Sequence, residues 1–332
     1  MAGFSPDRYD SMNYRRCGRS GLKLPAVSLG LWQSLGDTGN EATCREVMYR
    51  AFDGGITHFD LANNYGNPGG NSELVAGRIL VDMPRDELII STKAGYGMWP
   101  GPYGDFGSKK YLVASLDQSL LRMGLDYVDI FYHHRPDPDT PLDETMGALD
   151  LIVKQGKALY AGVSNYQGEL LGEAAGLMSD RGWAPLTINQ PSYSMINRRI
   201  ERDTLAVAEE SGVGVIAFCP LSSGVLTDRY LDGLPADSRQ GLRGDSGQSW
   251  YEEREKNGLW DGIRKLRGIA QERGQTMAQM ALTWILRDDR VTSVLIGASR
   301  VEQIDENLAA GNATPLTSDE IDNIEAILAE ID

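Results

Sequence analysis

Eight short apolar runs recur along the 332 residues of this chain, and their regular recurrence limits the possible folds more than any other feature. Several runs consist almost entirely of Val, Ile, Leu, Phe and Tyr, which is typical of strands that are buried on both faces. The runs occupy residues 26–31, 56–60, 88–93, 127–134, 158–164, 186–190, 213–218 and 292–297. Segments with helical spacing lie between them and include residues 42–52, 109–123 and 277–286.

This alternation of strands and helices predicts a parallel sheet that is covered by helices. Eight repeats in one chain favour a closed (β/α)8 TIM barrel of the α/β class over an open sheet. The chain shows no linker and no low-complexity segment, so we expect residues 1–332 to form a single barrel domain.

Three segments do not fit the simple repeat. Residues 14–24 contain a Gly-Arg-Ser-Gly turn between two short runs, which predicts a β-hairpin that caps one end of the barrel. Residues 222–258 form a polar stretch that is too long for a plain connection, so we interpret it as a functional loop, followed by two helical patterns. Residues 317–331 predict an extra helix at the C-terminus, with Ser318 as its N-cap.

Charge and composition exclude several classes of partner. The formal net charge of −15 repels phosphate backbones and anionic membranes, so nucleic acid is not expected as a partner. Three cysteines fit neither a disulfide framework nor a zinc site, and we expect no metal. No apolar run approaches the ~20 residues of a membrane helix, and the polar N-terminus does not match a signal peptide. We therefore expect a cytoplasmic protein that acts on a small molecule.

Ionisable side chains stand where three neighbouring runs end. Asp60, Lys93 and His134 close the second, third and fourth runs, and Tyr65 follows Asp60 by five positions. Reactive groups of α/β barrels lie at the carboxyl ends of the strands, so these four side chains are expected to converge. Each one alone has a simpler structural explanation, such as a turn cap or a surface charge. Their occurrence together at one end of the barrel indicates a catalytic site.

The four residue types together suit proton transfer to a carbonyl oxygen. A lysine beside a phenol favours the phenolate and is expected to lower the pKa of Tyr65. Asp60 would keep Lys93 charged and oriented, and His134 would orient the carbonyl group or help to relay the proton. Tyr65 would then donate its proton as hydride arrives from a nicotinamide.

The motifs around these residues resemble those of the aldo-keto reductases, and the resemblance covers nearly the whole chain. They are Asp60-Leu-Ala-Asn-Asn-Tyr65-Gly66, Ile90-Ser-Thr-Lys93, the run 127–134 that ends in His134, and Gly162-Val-Ser-Asn165. The resemblance implies an Asp60, Tyr65, Lys93 and His134 tetrad. Within the family, residues 96–104, Asn189-Gln-Pro-Ser-Tyr193 and Leu295-Ile-Gly-Ala-Ser299 are similar to the bacterial L-glyceraldehyde 3-phosphate reductase group and to the potassium-channel β-subunits.

A Rossmann site is the main alternative for binding a nucleotide. Residues 212–217 fit its G-x-G-x-x-A pattern, but they run into a strand, whereas the fingerprint follows a strand and opens a helix. Barrels instead bind phosphate with the loops after strands seven and eight, where Gly224 and Ser299 stand.

The resemblance to aldo-keto reductases assigns a larger set of residues to the cofactor. Ser164, Asn165 and Gln190 would hold the nicotinamide carboxamide, Phe218 would stack on the ring, and Arg300 would contact a 2′-phosphate, which favours NADPH over NADH. The remaining cofactor-binding candidates are Trp32, Asp60, Pro220, Leu221, Ser223, Gly224, Arg229, Gly297, Ser299, Gln303, Glu306 and Asn307.

The resemblance also implies a substrate, a small aldehyde such as L-glyceraldehyde 3-phosphate or methylglyoxal. Its candidate contacts are Trp32, Tyr65, Trp99, His134 and Arg135. Two features depart from many relatives: Phe218 stands where tyrosine is common, and the sequence given ends soon after its last helix, without the usual closing loop. We therefore expect a pocket that is open or is completed by a neighbouring subunit of a homo-oligomer.

Two other functions are alternatives to aldehyde reduction by this tetrad. A protein like the channel β-subunits would bind NADPH, turn over slowly and serve a regulatory role. A glycoside hydrolase would need two carboxylates about 5–9 Å apart. Asp60 is the one carboxylate at a strand end, since Asp129 lies within its run, so this reaction is disfavoured.

Overall fold

A computed structural model of the chain describes residues 3–32 and 41–331. Its centre is a closed barrel of eight parallel strands. The eighth barrel strand pairs with both the first and the seventh barrel strand and so closes the barrel. The strands in chain order are β1 (Tyr14–Arg16), β2 (Lys23–Pro25), β3 (Val27–Gly30), β4 (His58–Asp60), β5 (Ile89–Ala94), β6 (Val128–His133), β7 (Ala158–Ser164), β8 (Leu186–Gln190), β9 (Gly214–Phe218) and β10 (Val291–Ile296). The strands β3 to β10 form the barrel, so the predicted (β/α)8 fold is confirmed.

Helices surround the barrel and cover the outer faces of its strands. The described helices are α1 (Glu41–Asp53), α2 (Asn71–Leu80), α3 (Lys109–Met123), α4 (Leu142–Lys154), α5 (Gly168–Asp180), α6 (Thr204–Ser211), α7 (Asp245–Lys256), α8 (Leu259–Glu272), α9 (Met277–Leu286), α10 (Val301–Leu308) and α11 (Ser318–Leu328). Their apolar faces, which include Phe52, Leu116 and Met146, are fully buried in one cluster between helices and barrel. Within the described ranges, no helix is both long and apolar enough to cross a bilayer.

The predicted N-terminal hairpin is also confirmed. β1 and β2 pair antiparallel, with Arg15 opposite Leu24, and form a separate two-stranded sheet. Cys17, Leu22 and Leu24 are buried against side chains of the barrel interior, such as Ile188 and Ile216. The hairpin therefore closes the barrel at the end where the strands begin.

The polar stretch 222–258 is more ordered than a loop. It contains three turns of 3₁₀ helix and the whole of α7 (Asp245–Lys256), so its interpretation as one long loop is wrong. The predicted cap of the last helix is also shifted by one residue. Thr317, not Ser318, accepts a hydrogen bond from the Glu320 amide, and the Glu320 carboxylate in turn accepts from the Thr317 amide. This reciprocal capping box leaves Ser318 as the first helical residue.

Candidate active site

Three strand ends and one loop bring the four predicted catalytic side chains to the same end of the barrel. Asp60 is the last residue of β4, Lys93 lies near the end of β5, and His134 follows β6 directly. The Lys93 ammonium lies 2.5 Å from Asp60 Oδ2, 2.6 Å from the Leu61 carbonyl oxygen and 3.4 Å from the Tyr65 hydroxyl. Asp60 and Lys93 are fully buried, so their ion pair is shielded from water and holds the ammonium beside the phenol.

His134 completes the cluster through ring contacts. Its imidazole meets the Tyr65 ring edge-on at a centroid distance of 5.8 Å and the Tyr96 ring at 4.7 Å. Asn165 Nδ2 donates to the His134 carbonyl oxygen over 3.2 Å and so ties β6 to the end of β7. Nδ1 of His134 is buried and has no hydrogen-bond partner within the described part of the chain.

Burial controls the protonation of this cluster. It raises the pKa of Tyr65 well above its ordinary value, and the nearby Asp60 carboxylate adds to the rise. The expected lowering of the Tyr65 pKa by Lys93 is therefore wrong for the protein alone, because desolvation of the phenolate outweighs the attraction of the ammonium. Burial also lowers the pKa of His134 well below its ordinary value. At neutral pH the site thus holds a protonated phenol and an uncharged imidazole.

The pKa of Lys93 is set by two opposing effects. Burial is the larger effect and holds the pKa of Lys93 below its ordinary value, while the Asp60 carboxylate opposes this lowering through its charge and its hydrogen bond. An unpaired ammonium in such a place would lose its proton. Asp60 is therefore the group that allows a charged lysine beside Tyr65.

Polar groups from β7 and β8 adjoin the tetrad. Ser164 Oγ donates to the Gln190 carbonyl oxygen over 2.7 Å, and Gln190 Nε2 donates to Asp60 Oδ1 over 3.2 Å. Asn165 has a left-handed backbone with φ of 63°, which turns the chain at the strand end. Phe218 ends β9 and is partly exposed, so it presents a ring at the same end of the barrel.

The loop after β9 contains several residues with left-handed backbone conformations. Cys219, Ser222 and Ser223 have left-handed φ values of 54°, 47° and 59°, and Gly224 follows with 90°. Such turns direct successive amide groups to one side and can cradle a phosphate. Pro220 and Leu221 lead into this turn, and Arg229 in the next turn pairs with Asp237 at 3.2 Å.

The loop after β10 opens α10 and carries the other predicted cofactor residues. Gln303 Oε1 accepts from both the amide and the hydroxyl of Ser299, at 2.7 and 3.2 Å. The Arg300 side chain is 57% exposed and lies 3.7 Å from Glu302, so its guanidinium is accessible. Asn307 is buried, and its Oδ1 lacks a hydrogen-bond partner in residues 3–32 and 41–331. An orphaned oxygen of this kind fits contact with a bound amine or hydroxyl.

Comparison with known proteins identifies the family. Residues 26–329 match the Aldo/keto reductase family. The chain belongs to the aldo/keto reductase family. It is 52% identical to the L-glyceraldehyde 3-phosphate reductase of Escherichia coli K12 over 98% of this chain and 95% of that protein. It is 35% identical to a probable voltage-gated potassium channel subunit beta of Arabidopsis thaliana, over 96% of this chain and 97% of that one.

Family membership confirms the predicted resemblance and the predicted class of enzyme, an oxidoreductase. A putative potassium channel subunit beta of Schizosaccharomyces pombe is also 35% identical, over 90% of this chain and 87% of that protein. The two groups of relatives named from the motifs are thus both present among the matches. Aldo/keto reductases generally use NAD(P)H, and the orphaned Asn307 oxygen and the backbone turn at Gly224 fit such a nucleotide.

The predicted substrate contacts of this aldo/keto reductase differ in their exposure and in the residues that hold them. Trp32 is 42% exposed, and its ring lies 6.1 Å from that of Tyr65, at the mouth of the site. Trp99 packs on the buried Tyr111 ring at 5.0 Å, so much of its surface supports the loop after β5. Arg135 donates to the Gly95 carbonyl oxygen over 2.7 Å and pairs with Asp105 at 2.8 Å.

Two residues near the mouth of the site were missed from the sequence. Tyr96 contacts the His134 ring edge-on and stacks under the Arg135 guanidinium at 4.4 Å. Arg239 lies over the Trp32 ring at 4.6 Å and approaches Ser223 Oγ at 3.5 Å. Tyr96 stands three residues past Lys93, so its proximity to a strand end was a usable signal. Arg239 lies within the stretch 222–258, where no sequence pattern indicates which side chain returns to the barrel.

Proposed function

We propose that this aldo/keto reductase reduces small aldehydes to alcohols with NADPH and that Tyr65 donates the proton. One observation carries the proposal: the Tyr65 hydroxyl lies 3.4 Å from the Lys93 ammonium, beside the His134 ring, at the barrel end where Gln190 and Phe218 also stand. Tyr65 is protonated at neutral pH and therefore carries the proton that the reaction needs.

The chemical step needs one hydride and one proton. Gln190 and Phe218 would hold the nicotinamide, which would supply the hydride for the carbonyl carbon when NADPH is bound. His134 orients the carbonyl oxygen toward Tyr65, which transfers its proton to that oxygen as the carbon is reduced. Lys93 stabilises the phenolate that remains, and Asp60 keeps Lys93 charged. Proton donation of this kind typically contributes about 100- to 10,000-fold to the rate.

We propose the following residues for the nucleotide. Ser164, Asn165 and Gln190 hold the carboxamide of the nicotinamide and Phe218 stacks on its ring. The other residues that we propose for the nucleotide are Trp32, Asp60, Pro220, Leu221, Ser223, Gly224, Arg229, Gly297, Ser299, Arg300, Gln303, Glu306 and Asn307. The left-handed turn at Ser223 and Gly224 and the accessible Arg300 guanidinium support this assignment.

The substrate that we propose is L-glyceraldehyde 3-phosphate, with methylglyoxal as a second member of the same class of small aldehydes. Support comes from the 52% identity with the E. coli protein of that name. Trp32, Tyr65, Trp99, His134 and Arg135 are the proposed substrate contacts. We also propose that residues 1–332 act as a single domain in the cytoplasm.

The variant Tyr65→Phe tests the proton donor. We expect it to lose nearly all aldehyde turnover, at least ~100-fold, while it binds NADPH as tightly as the wild type, because it loses one hydroxyl and keeps the ring. Loss of reduced-nicotinamide absorbance is followed with both enantiomers of glyceraldehyde 3-phosphate and with methylglyoxal. Wild-type rates in the variant would refute the role of Tyr65. Wild-type protein with bound nucleotide and no turnover of any aldehyde would instead favour a regulatory role.

The variant Arg300→Ala tests the preference for NADPH. A charge-assisted hydrogen bond to the 2′-phosphate is absent with NADH, so we expect NADPH affinity to fall about tenfold and NADH affinity to change less than about twofold. Arg181→Ala is the control, because Arg181 has a similarly exposed side chain, at 55%, and pairs with Asp143, and neither residue is among those proposed for the nucleotide. Equal losses for both nucleotides in Arg300→Ala would contradict the contact.

A further inference from the structure

A continuous chain of buried polar side chains lies inside the barrel, on the side of the tetrad away from solvent. Four residues form it, here called the hydroxyl–imidazole chain: Ser91 on β5, His58 on β4, Ser28 on β3 and Ser293 on β10. All four are fully buried. Ser91 Oγ lies 2.6 Å from Asp60 Oδ1 and 3.0 Å from His58 Nε2. Ser28 Oγ lies 3.0 Å from His58 Nδ1 and 2.7 Å from Ser293 Oγ.

The direction of every hydrogen bond in this chain can be worked out from Asp60. A carboxylate accepts and cannot donate, so the Ser91 hydroxyl must donate to Asp60 Oδ1. Having used its one proton, Ser91 Oγ must accept from His58, which places a proton on Nε2. Burial lowers the pKa of His58 to about 4, so the ring is neutral at neutral pH and its Nδ1 is an acceptor. Ser28 therefore donates to Nδ1 and must accept from Ser293, whose hydroxyl lies 2.7 Å from Ser28 Oγ and 3.4 Å from the Ala26 carbonyl oxygen.

Ser91, the end of the hydroxyl–imidazole chain nearest to the tetrad, helps to fix the rotation of the Asp60 carboxylate. Oδ1 accepts from Ser91 and from Gln190 Nε2, while Oδ2 faces the Lys93 ammonium. With both oxygens occupied, the carboxylate cannot turn without breaking buried hydrogen bonds, each of which would leave an unsatisfied polar group. The position of Lys93, and with it the polar environment of the Tyr65 hydroxyl, depends on this orientation.

We propose that Ser91 and His58 are positioning residues of the reaction, and that they act through Asp60 and Lys93 to hold the Tyr65 hydroxyl in its reactive geometry. The inference rests on the proposed function of Tyr65. Neither residue touches the substrate. Their role is to orient the carboxylate that orients the ammonium, in the same way that outer hydrogen-bond partners orient the ligands of a metal site.

Kinetics of Ser91→Ala test the positioning role. We expect kcat to fall about tenfold or more, because small errors in the alignment of reacting groups are costly, with KM for the aldehyde and Kd for NADPH within about twofold of wild type. The solvent isotope effect on kcat should rise, since a misaligned proton donor makes proton transfer more rate-limiting. Ser194→Ala is the control, because Ser194 is also buried and its hydroxyl has no hydrogen-bond partner among the described residues.

Two replacements of His58 separate positioning from simple packing. His58→Gln can keep an amide N–H directed at Ser91 and an oxygen directed at Ser28, whereas His58→Leu keeps bulk but neither polar group. We expect the Gln variant to retain several-fold more kcat than the Leu variant at equal aldehyde KM. Equal kcat in the two variants, or a kcat of Ser91→Ala equal to that of the Ser194→Ala control, would overturn the proposal.

Nitrogen NMR of the wild-type protein tests the hydrogen-bond directions without any measurement of turnover. The chain has three histidines, so the imidazole spectrum is sparse, and His58→Gln assigns the signal. We expect a neutral ring with its proton on Nε2 at pH 7. A proton on Nδ1, or a charged ring, would overturn the proposed directions. A wild type that reduces no aldehyde contradicts the proposed function, whereas an active wild type whose Ser91→Ala variant keeps its kcat contradicts the positioning role alone.

Discussion

The interior of the barrel has two halves of opposite polarity beneath the active site. On one side lies the hydroxyl–imidazole chain, in which every side-chain nitrogen and oxygen atom makes a hydrogen bond. On the other side, Ile130, Ile188 and Ile216 are fully buried and pack against the N-terminal hairpin; these three residues are called the apolar half. The two halves meet where Ser91 on β5 stands opposite Ile130 on β6. Burial of the apolar half stabilises the fold by about 1.5–3 kcal/mol for each side chain.

The two halves of the barrel interior contribute to different properties, one to the reaction and the other to stability. Apolar side chains could have filled the polar half as well, since buried hydrogen-bonded groups contribute little net stability. The polar half instead lies directly below Asp60 and Lys93, the ion pair on which the proposed chemistry depends. Substitutions in the polar half should therefore affect the reaction, and substitutions in the apolar half should affect the free energy of unfolding.

The largest effect is expected at the ion pair itself. Lys93→Met leaves the Asp60 carboxylate buried without its cation, so we expect kcat to fall at least ~100-fold and the free energy of unfolding to fall by about 3–5 kcal/mol. Adding Asp60→Asn removes the remaining charge and should restore most of the stability without restoring activity. Urea unfolding and aldehyde turnover measure the two quantities. Recovery of activity in the double variant would contradict the proposed role of the ammonium.

A smaller effect, of the opposite kind, is expected at Ile130. Ile130→Ala should lower the free energy of unfolding by about 2–5 kcal/mol, because it removes buried methyl groups and leaves a cavity. Its kcat should stay within about twofold of wild type. Ser91→Ala, at the opposing position of the same strand pair, should show the reverse pattern. If both variants changed kcat to the same extent, the division between the two halves would be lost.

The smallest difference between a variant and the wild type is expected on acidification, because His58→Gln removes one titrating ring. Burial lowers the pKa of His58 and of His133 to about 4, whereas an unfolded histidine titrates near 6.5. Between these values the unfolded chain binds more protons than the folded one, so the free energy of unfolding falls as the pH is lowered. The loss is about 3 kcal/mol at most for each ring. Urea midpoints at pH 7, 5.5 and 4.5 should decline less steeply in His58→Gln than in the wild type; parallel slopes would contradict burial of a neutral His58.

The strand ends of the site could be predicted from sequence because topology alone brings them together. Asp60, Lys93 and His134 end consecutive apolar runs, and consecutive parallel strands of a barrel end on the same rim. The hydroxyl–imidazole chain was missed although a signal existed. His58 stands two residues before Asp60, and Ser91 two residues before Lys93, so each pair shares one face of its strand. Surrounding apolar residues concealed that polar face.

Other features could not be read from local patterns. α7 has little apolar surface, since Gly247 and Tyr251 are its buried residues, and so it gives no helical periodicity. The pKa of Tyr65 depends on how deeply the phenol is buried, which no motif records. The N-cap of α11, in contrast, could have been predicted correctly from the sequence. Glu320 stands three residues after Thr317, which is the spacing of a capping box, and this would have favoured Thr317 over Ser318.

The hydrogen bond between Ser28 and Ser293 joins side chains 265 positions apart in the sequence. It also joins β3 to β10, the strand pair that closes the cylinder. Before β10 emerges from the ribosome, β3 and β9 each present an open edge that can pair with other chains. Ser28 at that stage lacks its donor. The polar interior can thus be completed only after β10 has been synthesised, so fragments that end before β10 should accumulate as inactive, aggregation-prone species.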